Sequence, residues 1–193
     1  MKKILLNFLF VFTLSMTINE QEQLNINTSK SNIKWSCDYA FYFGGHFGEV
    51  KFKDGYFIKT LGKITSGEFT INLNSIVTQD MDNEKANQSL TDHLKNEDFF
   101  NVNQYPTAKL SITKTKYHND TQLKVYANLT IKGVTKPISF QAEIDYEKKL
   151  MTTKFKIDRT LWNIIYGSKS NTSEKAKNSI ISDAIGFEVS FGL

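Results

Sequence analysis

Three histidines and one cysteine are the residues through which this 193-residue chain could do chemistry. His93 stands beside Asp92, a pairing able to orient an imidazole for acid–base work or for a metal. Neither His46 nor His118 lies at a ligand spacing from it. No nucleophilic serine or cysteine motif accompanies it, and the Cys/His clusters of zinc sites are absent. Helix capping or a buried hydrogen bond accounts for His93 better than catalysis does. Arg159 shares strand parity with Phe155 and Ile157, which turns its guanidinium inward, where it must be paired. Asp183 is the candidate partner, in a structural ion pair. The functional alternative is a phosphate or carbonyl head group gripped by the guanidinium fork. Cys37 has no second cysteine to bond and reads as a small buried apolar residue. No catalytic residue, metal ligand or cofactor is assigned.

The elements that must position these residues are mostly strands. Period-two alternation recurs from about Leu24 onwards. Ile33, Trp35, Cys37 and Tyr39 share one side of a first clear strand, and Gly44-Gly45 offers a turn. His46, Gly48, Val50 and Phe52 follow, then Asp54-Gly55 reads as a hairpin turn leading into a short strand at 56–61. Between Asp80 and Asn103 the alternation breaks. There Glu84 to Lys95 fits a helix, with Ala86, Leu90 and Leu94 on one face. Strands resume after Tyr105-Pro106 and run to the end, with a turn at Lys132-Gly133 and a loop rich in Ser, Asn and Lys at 168–179. Eight or nine strands joined by short turns favour an all-β fold, an extended antiparallel up-and-down barrel of about eight strands with a short helical insertion. A sandwich is the alternative.

In such a barrel Trp35, Phe52, Phe69, Ile71, Leu110, Leu129, Phe140 and Phe155 point inward and are expected to surround an elongated apolar cavity. Phe99-Phe100 either gates one end or plugs it, and Trp162 and Tyr166 read as rim aromatics. A solid core built from the same stripes is the competing expectation.

Composition bounds the rest. The length suits one domain, and the net charge of +4 is scattered rather than gathered into a run, which argues against nucleic acid as a partner. Met1-Lys2-Lys3 before the apolar stretch Ile4 to Leu14 reads as a signal peptide ending near residue 19, with the mature domain at 20–193. The stretch is too short to cross a bilayer, which takes roughly 20 apolar residues. A periplasmic or secreted protein without a stable membrane span is therefore expected.

Several short segments, in this order and spacing, resemble the YceI-like family. They are Ser31 to Trp35, the Gly-His-Phe-Gly of 45–48, and the block from Asp92-His93-Leu94 to Phe99-Phe100. The Leu129 to Thr135 hairpin, Asp158-Arg159-Thr160 and Ile181-Ser182-Asp183 complete the set. Thr91 and Leu161-Trp162 depart from the family's commoner residues near a plausible barrel mouth. The resemblance implies a lipocalin-like barrel that binds the tail of an isoprenoid quinone, a polyprenyl lipid or a fatty amide, with no cofactor and no established catalytic centre. On that reading Phe99, Phe100 and Arg159 join the eight interior residues as lipid-contacting candidates. The alternatives are a secreted enzyme acting on a lipid or quinone, with His93 or His46 as its acid–base group, and a solid interaction module. A monomer or a homodimer fits equally.

Overall fold

The computed structural model describes residues 20–41, 43–171 and 180–193. The expected signal peptide and the 172–179 part of the Ser/Asn/Lys-rich loop lie outside them. Nine strands form one antiparallel sheet: β1 Gln21–Asn25, β2 Asn27–Tyr39, β3 Gly45–Thr60, β4 Lys63–Thr78, β5 Thr107–Tyr117, β6 Gln122–Ile131, β7 Val134–Asp145, β8 Leu150–Asp158 and β9 Ile181–Gly192. The hydrogen-bonded order is β3-β2-β9-β8-β7-β6-β5-β4, and β4 pairs back onto β3. Eight strands thus close a barrel. β1 continues the line of β2 along the far half of β3, from Gln21 opposite Thr60 to Asn25 opposite Tyr56.

Four connections gather at one end, here called upper: β2–β3, β4–β5, β6–β7 and β8–β9. The β4–β5 connection carries helix α1, Glu84–Lys95, with the limits that its 3.6-residue periodicity predicts. Asn83 caps it by accepting the N–H groups of Lys85 and Ala86. Thr91, which is 4% exposed, pins α1 to the barrel because its Oγ1 accepts the Thr78 N–H at 3.0 Å.

One turn expected from the sequence is not a turn. Asp54-Gly55 lies inside β3, opposite Thr70 and Phe69, at a register shift that follows Phe52. The reversal comes later, at Leu61-Gly62, where both residues have positive φ. Gly55 serves close approach instead: a Cβ there would run into the Phe69 ring. The shift is a β-bulge, which bends a 16-residue strand around the barrel.

Aromatic rings fill the middle and lower barrel interior. Phe57, Phe69 and Phe191 are at most 2% exposed. Phe69 packs 4.8 Å from Phe57 and 4.9 Å from Phe191 between ring centroids, and Phe52 lies 5.2 Å above Phe191. Leu123, Val125 and Met151, all fully buried, fill the opposite side. Higher up, β7 and β8 part company. They pair only between Ala142–Asp145 and Leu150–Thr153, and above that the stacked rings of Phe140 and Phe155, 4.7 Å apart, bridge the gap.

Candidate ligand cavity and its polar rim

The upper half of the barrel holds a cavity of about 130 Å³. Trp35, Phe52, Ile71, Leu110, Leu129, Phe140 and Phe155 stand in its wall, as parity predicts, and Leu94, Phe99 and Phe100 roof it from the α1 side. β9 contributes Ile185, Phe187, Val189 and Phe191, which alternation along the final strand does not single out as site residues. Phe69 is the exception among the expected wall residues, because it sits below the floor in the aromatic plug. The cavity is accordingly a short chamber rather than a channel running the length of the barrel. Alternation identifies which side chains point inward, but not how deep the inward aromatics interlock.

An apolar void of this size has a known character. Cavities of about 150 Å³ lined by Leu, Ile and Phe stay dry and take up benzene. One wall group stands out: Trp35 Nε1 is buried without a hydrogen-bond partner among the described residues. An unpaired donor of this kind costs about 1–3 kcal/mol.

Arg159 is 1% exposed and also touches the cavity. It lies not on a strand but in a short 3-10 turn, Arg159–Trp162, capped by Asp158. Its donors go to main-chain carbonyls: Nη1 to Ile164 at 2.7 Å, Nε to Ser182 at 3.0 Å and Nη2 to Ile181 at 3.3 Å. Asp183 is an ion-pair partner at 3.5 Å, although that carboxylate oxygen is not aligned as a hydrogen bond. Burial pulls the guanidinium pKa below its ordinary value, against the opposing charges around it. The arrangement ties the 159–164 segment to the start of β9. Next to it, the Cys37 thiol donates to the Ser182 carbonyl at 3.6 Å, and burial pushes its pKa up to about 11.

The histidines part ways. His93 pairs not with its sequence neighbour but with Asp98, at 3.1 Å, and its ring meets Phe99 and Tyr166 edge-on at 5.0 and 4.7 Å. Asp92 instead accepts from Gln88 one turn back along α1. His46, at the start of β3, joins two residues that the sequence reading did not connect to it. Its Nδ1 lies 2.8 Å from Asp80 Oδ2 and its Nε2 lies 2.9 Å from the Tyr39 hydroxyl. Asp80 is nearly enclosed, at 8% side-chain exposure. Its other oxygen accepts the Phe47 N–H at 3.3 Å. His46 pairs across strands with Cys37, a cavity residue, so the three groups lie next to the chamber wall without lining it. Of the two expected rim aromatics, Tyr166 is 44% exposed at the upper end. Trp162 is instead buried, with Nε1 donating to the Leu129 carbonyl at 3.1 Å. Phe41, Phe43, Phe47, Leu161 and Ile165 are exposed around the same end. Among the described residues no group of three or more His, Cys, Asp or Glu converges as a metal site, and no helix is long and apolar enough to cross a membrane.

Fold and chamber together define a closed antiparallel β-barrel with an apolar internal compartment, roofed by one helix. The sequence places it in a family: residues 24–193 match the YceI-like domain, and the chain belongs to that family. It is 28% identical over 149 residues to protein YceI of Salmonella agona (strain SL483), an alignment spanning 75% of this chain and 73% of that protein. UPF0312 protein VVA0736 of Vibrio vulnificus (strain YJ016) is 31% identical over 121 residues, 56% of this chain and 63% of the relative. Among crystal structures, Burkholderia cenocepacia BcnA superposes with a TM-score of 0.61 at 18% identity, covering 86% of this chain and 98% of that one. The Campylobacter jejuni YCEI protein reaches 0.50 at 19% identity, with 98% and 97% covered. At these identities the two structures speak for the fold alone.

Proposed function

We propose that this protein binds a chain-like lipid by enclosing part of an isoprenoid or other long hydrocarbon tail in the upper chamber, and that it carries or sequesters that lipid outside the cytoplasm. The observation that carries the reading is the chamber itself: an apolar void at a barrel end ringed by exposed aromatic and aliphatic side chains. Such a void rewards a methylene chain by roughly 0.8 kcal/mol per buried CH₂ without requiring polar geometry. Its volume suits about one five-carbon unit in the empty form, on the scale of the benzene-sized cavities above. A longer tail advances by displacing the stacked Phe140 and Phe155 or the Phe52–Phe191 contact at the floor. The export expectation adds the compartment. The account needs no catalytic step.

A second reading has one observation in its favour. Asp80, His46 and Tyr39 form the kind of hydrogen-bonded chain that acid–base enzymes use, so an enzyme acting on the bound lipid remains the alternative. The test is a titration of quinones differing only in prenyl length, followed by the fluorescence of Trp35 in the wall. Affinity should rise with tail length and then level off. Affinity independent of length would refute the tail chamber, and turnover of the quinone abolished by His46→Gln would establish the enzyme in its place.

A further inference from the structure

The rim chain has a direction, and the direction selects a head group. As a carboxylate Asp80 can only accept, and it does so from the Phe47 N–H and from His46 Nδ1. A neutral imidazole in this arrangement carries its proton on Nδ1 and leaves Nε2 as an acceptor. Tyr39 then donates its hydroxyl proton to Nε2 across the 2.9 Å contact. The lone pairs of the Tyr39 oxygen remain, and they can only accept. Tyr39 lies two residues beyond Cys37 on β2, past a register shift against β9, and His46 stands directly opposite Cys37, which lines the chamber. Cross-strand partners have Cβ atoms about 4.5–5.5 Å apart. The acceptor thus sits beside the chamber wall at Cys37, within reach of the end of a chain that extends past it.

We infer that Tyr39, His46 and Asp80 form a head-group subsite that takes a hydrogen-bond donor, such as the hydroxyl of a long-chain alcohol or of a prenylated hydroquinone, in preference to an ether or quinone carbonyl. This rests on the tail-binding reading above. Tyr39 is the contacting residue, and His46 and Asp80 are positioning residues that set which way its proton points. The ligand hydroxyl donates to Tyr39, Tyr39 to His46 and His46 to Asp80, each link polarising the next.

Two variants separate this from a merely structural role for the chain. Tyr39→Phe removes the acceptor together with the hydroxyl that donates to His46 Nε2. Asp80→Asn should invert the selection. The Phe47 N–H holds the amide oxygen in place, so the new NH₂ faces His46 Nδ1 and drives the ring proton to Nε2, as happens when the carboxylate of a catalytic histidine is made an amide. Nε2 then donates to Tyr39, whose own hydroxyl proton becomes free for an acceptor.

The experiment compares a prenyl alcohol with its methyl ether at equal chain length, and a prenylated hydroquinone with its quinone under matched redox buffering. The parent chain should prefer the donor member of each pair by about fivefold, the scale of one net hydrogen bond. Tyr39→Phe should bring the ratio to within twofold while keeping tail-length dependence, and Asp80→Asn should turn it below one. Equal affinities in the parent, or a ratio unchanged by Tyr39→Phe, would overturn the subsite and leave the chamber standing. Failure of all four compounds to bind the parent would overturn both. If Asp80→Asn does not fold by circular dichroism, the Tyr39→Phe ratio decides alone.

Discussion

Phe191 sets the depth of the chamber, and removing its ring should lengthen the tail that the barrel can hold. The side chain is 1% exposed and lines the floor, with ring centroids 5.2 Å from Phe52, 5.4 Å from Phe57 and 4.9 Å from Phe69. Phe191→Ala deletes a phenyl ring, which occupies less than the roughly 150 Å³ of a cavity that admits benzene. That space opens into the existing 130 Å³ and enlarges it. The truncation should cost about 3–5 kcal/mol of stability in the empty protein, read by urea unfolding. In the prenyl-length titration, the point at which affinity levels off should move outward by about one isoprene unit. A unit of five carbons is worth at most about 4 kcal/mol at 0.8 kcal/mol per methylene. Ordering the tail consumes much of this, so a gain of at least about fivefold at the new optimum is expected. A filling ligand at a hundred times its Kd should also restore about 2.7 kcal/mol of stability. Phe191→Leu, a milder truncation, should move the same way by less. A variant that is destabilised yet levels off at the parent's tail length would refute Phe191 as the floor, and with it the link between chamber volume and tail length.

Two further perturbations test the surroundings. Trp162 donates to Leu129, while Trp35 has no partner among the described residues. Trp162→Phe should therefore cost about 0.5–1.5 kcal/mol more than Trp35→Phe, since only the first loses a hydrogen bond; equal costs in urea unfolding would contradict the assignment. Cys37, with its thiol pKa raised from 9.0 to about 11, favours the protonated form in the fold. Its contribution is complete below pH 9 and is lost as pH rises through 11, because the unfolded chain ionises first. Cys37→Ala should flatten the fall in stability over that window, and an unchanged slope would count against the burial of the thiol.

Much of the architecture is legible before any coordinates, and the misses have physical causes. Alternation marks β2, β4, β6 and β9 because each keeps one face inward, and the 84–95 helix shows through its four-residue spacing and the Asn83 cap. Asp54-Gly55 misleads because a glycine that admits the Phe69 ring looks, in sequence, like a glycine that makes a turn. The depth of the chamber is hidden for a related reason. Parity tells which aromatics face inward, whereas the plug depends on how Phe52, Phe57, Phe69 and Phe191 interlock across three strands. His93 attracts notice through its neighbour Asp92, yet on a helix adjacent residues face apart, and the ring finds Asp98 instead. His46 and Asp80 are 34 residues apart and meet only because β4 closes the barrel against β3. A faint signal exists: His46 shares inward parity with the apolar residues Val50 and Phe52, where a polar ring calls for a partner.

The most direct test of the central claim is native mass spectrometry of the chain after exposure to a membrane-lipid extract, alongside Leu129→Arg, which places a charge in the chamber wall. The account predicts one long-chain lipid per folded parent barrel, released on unfolding, and none on the variant, whose fold is verified by circular dichroism. A parent chain that remains empty with lipid in excess, or a Leu129→Arg chain that binds the same lipid equally well, would contradict it.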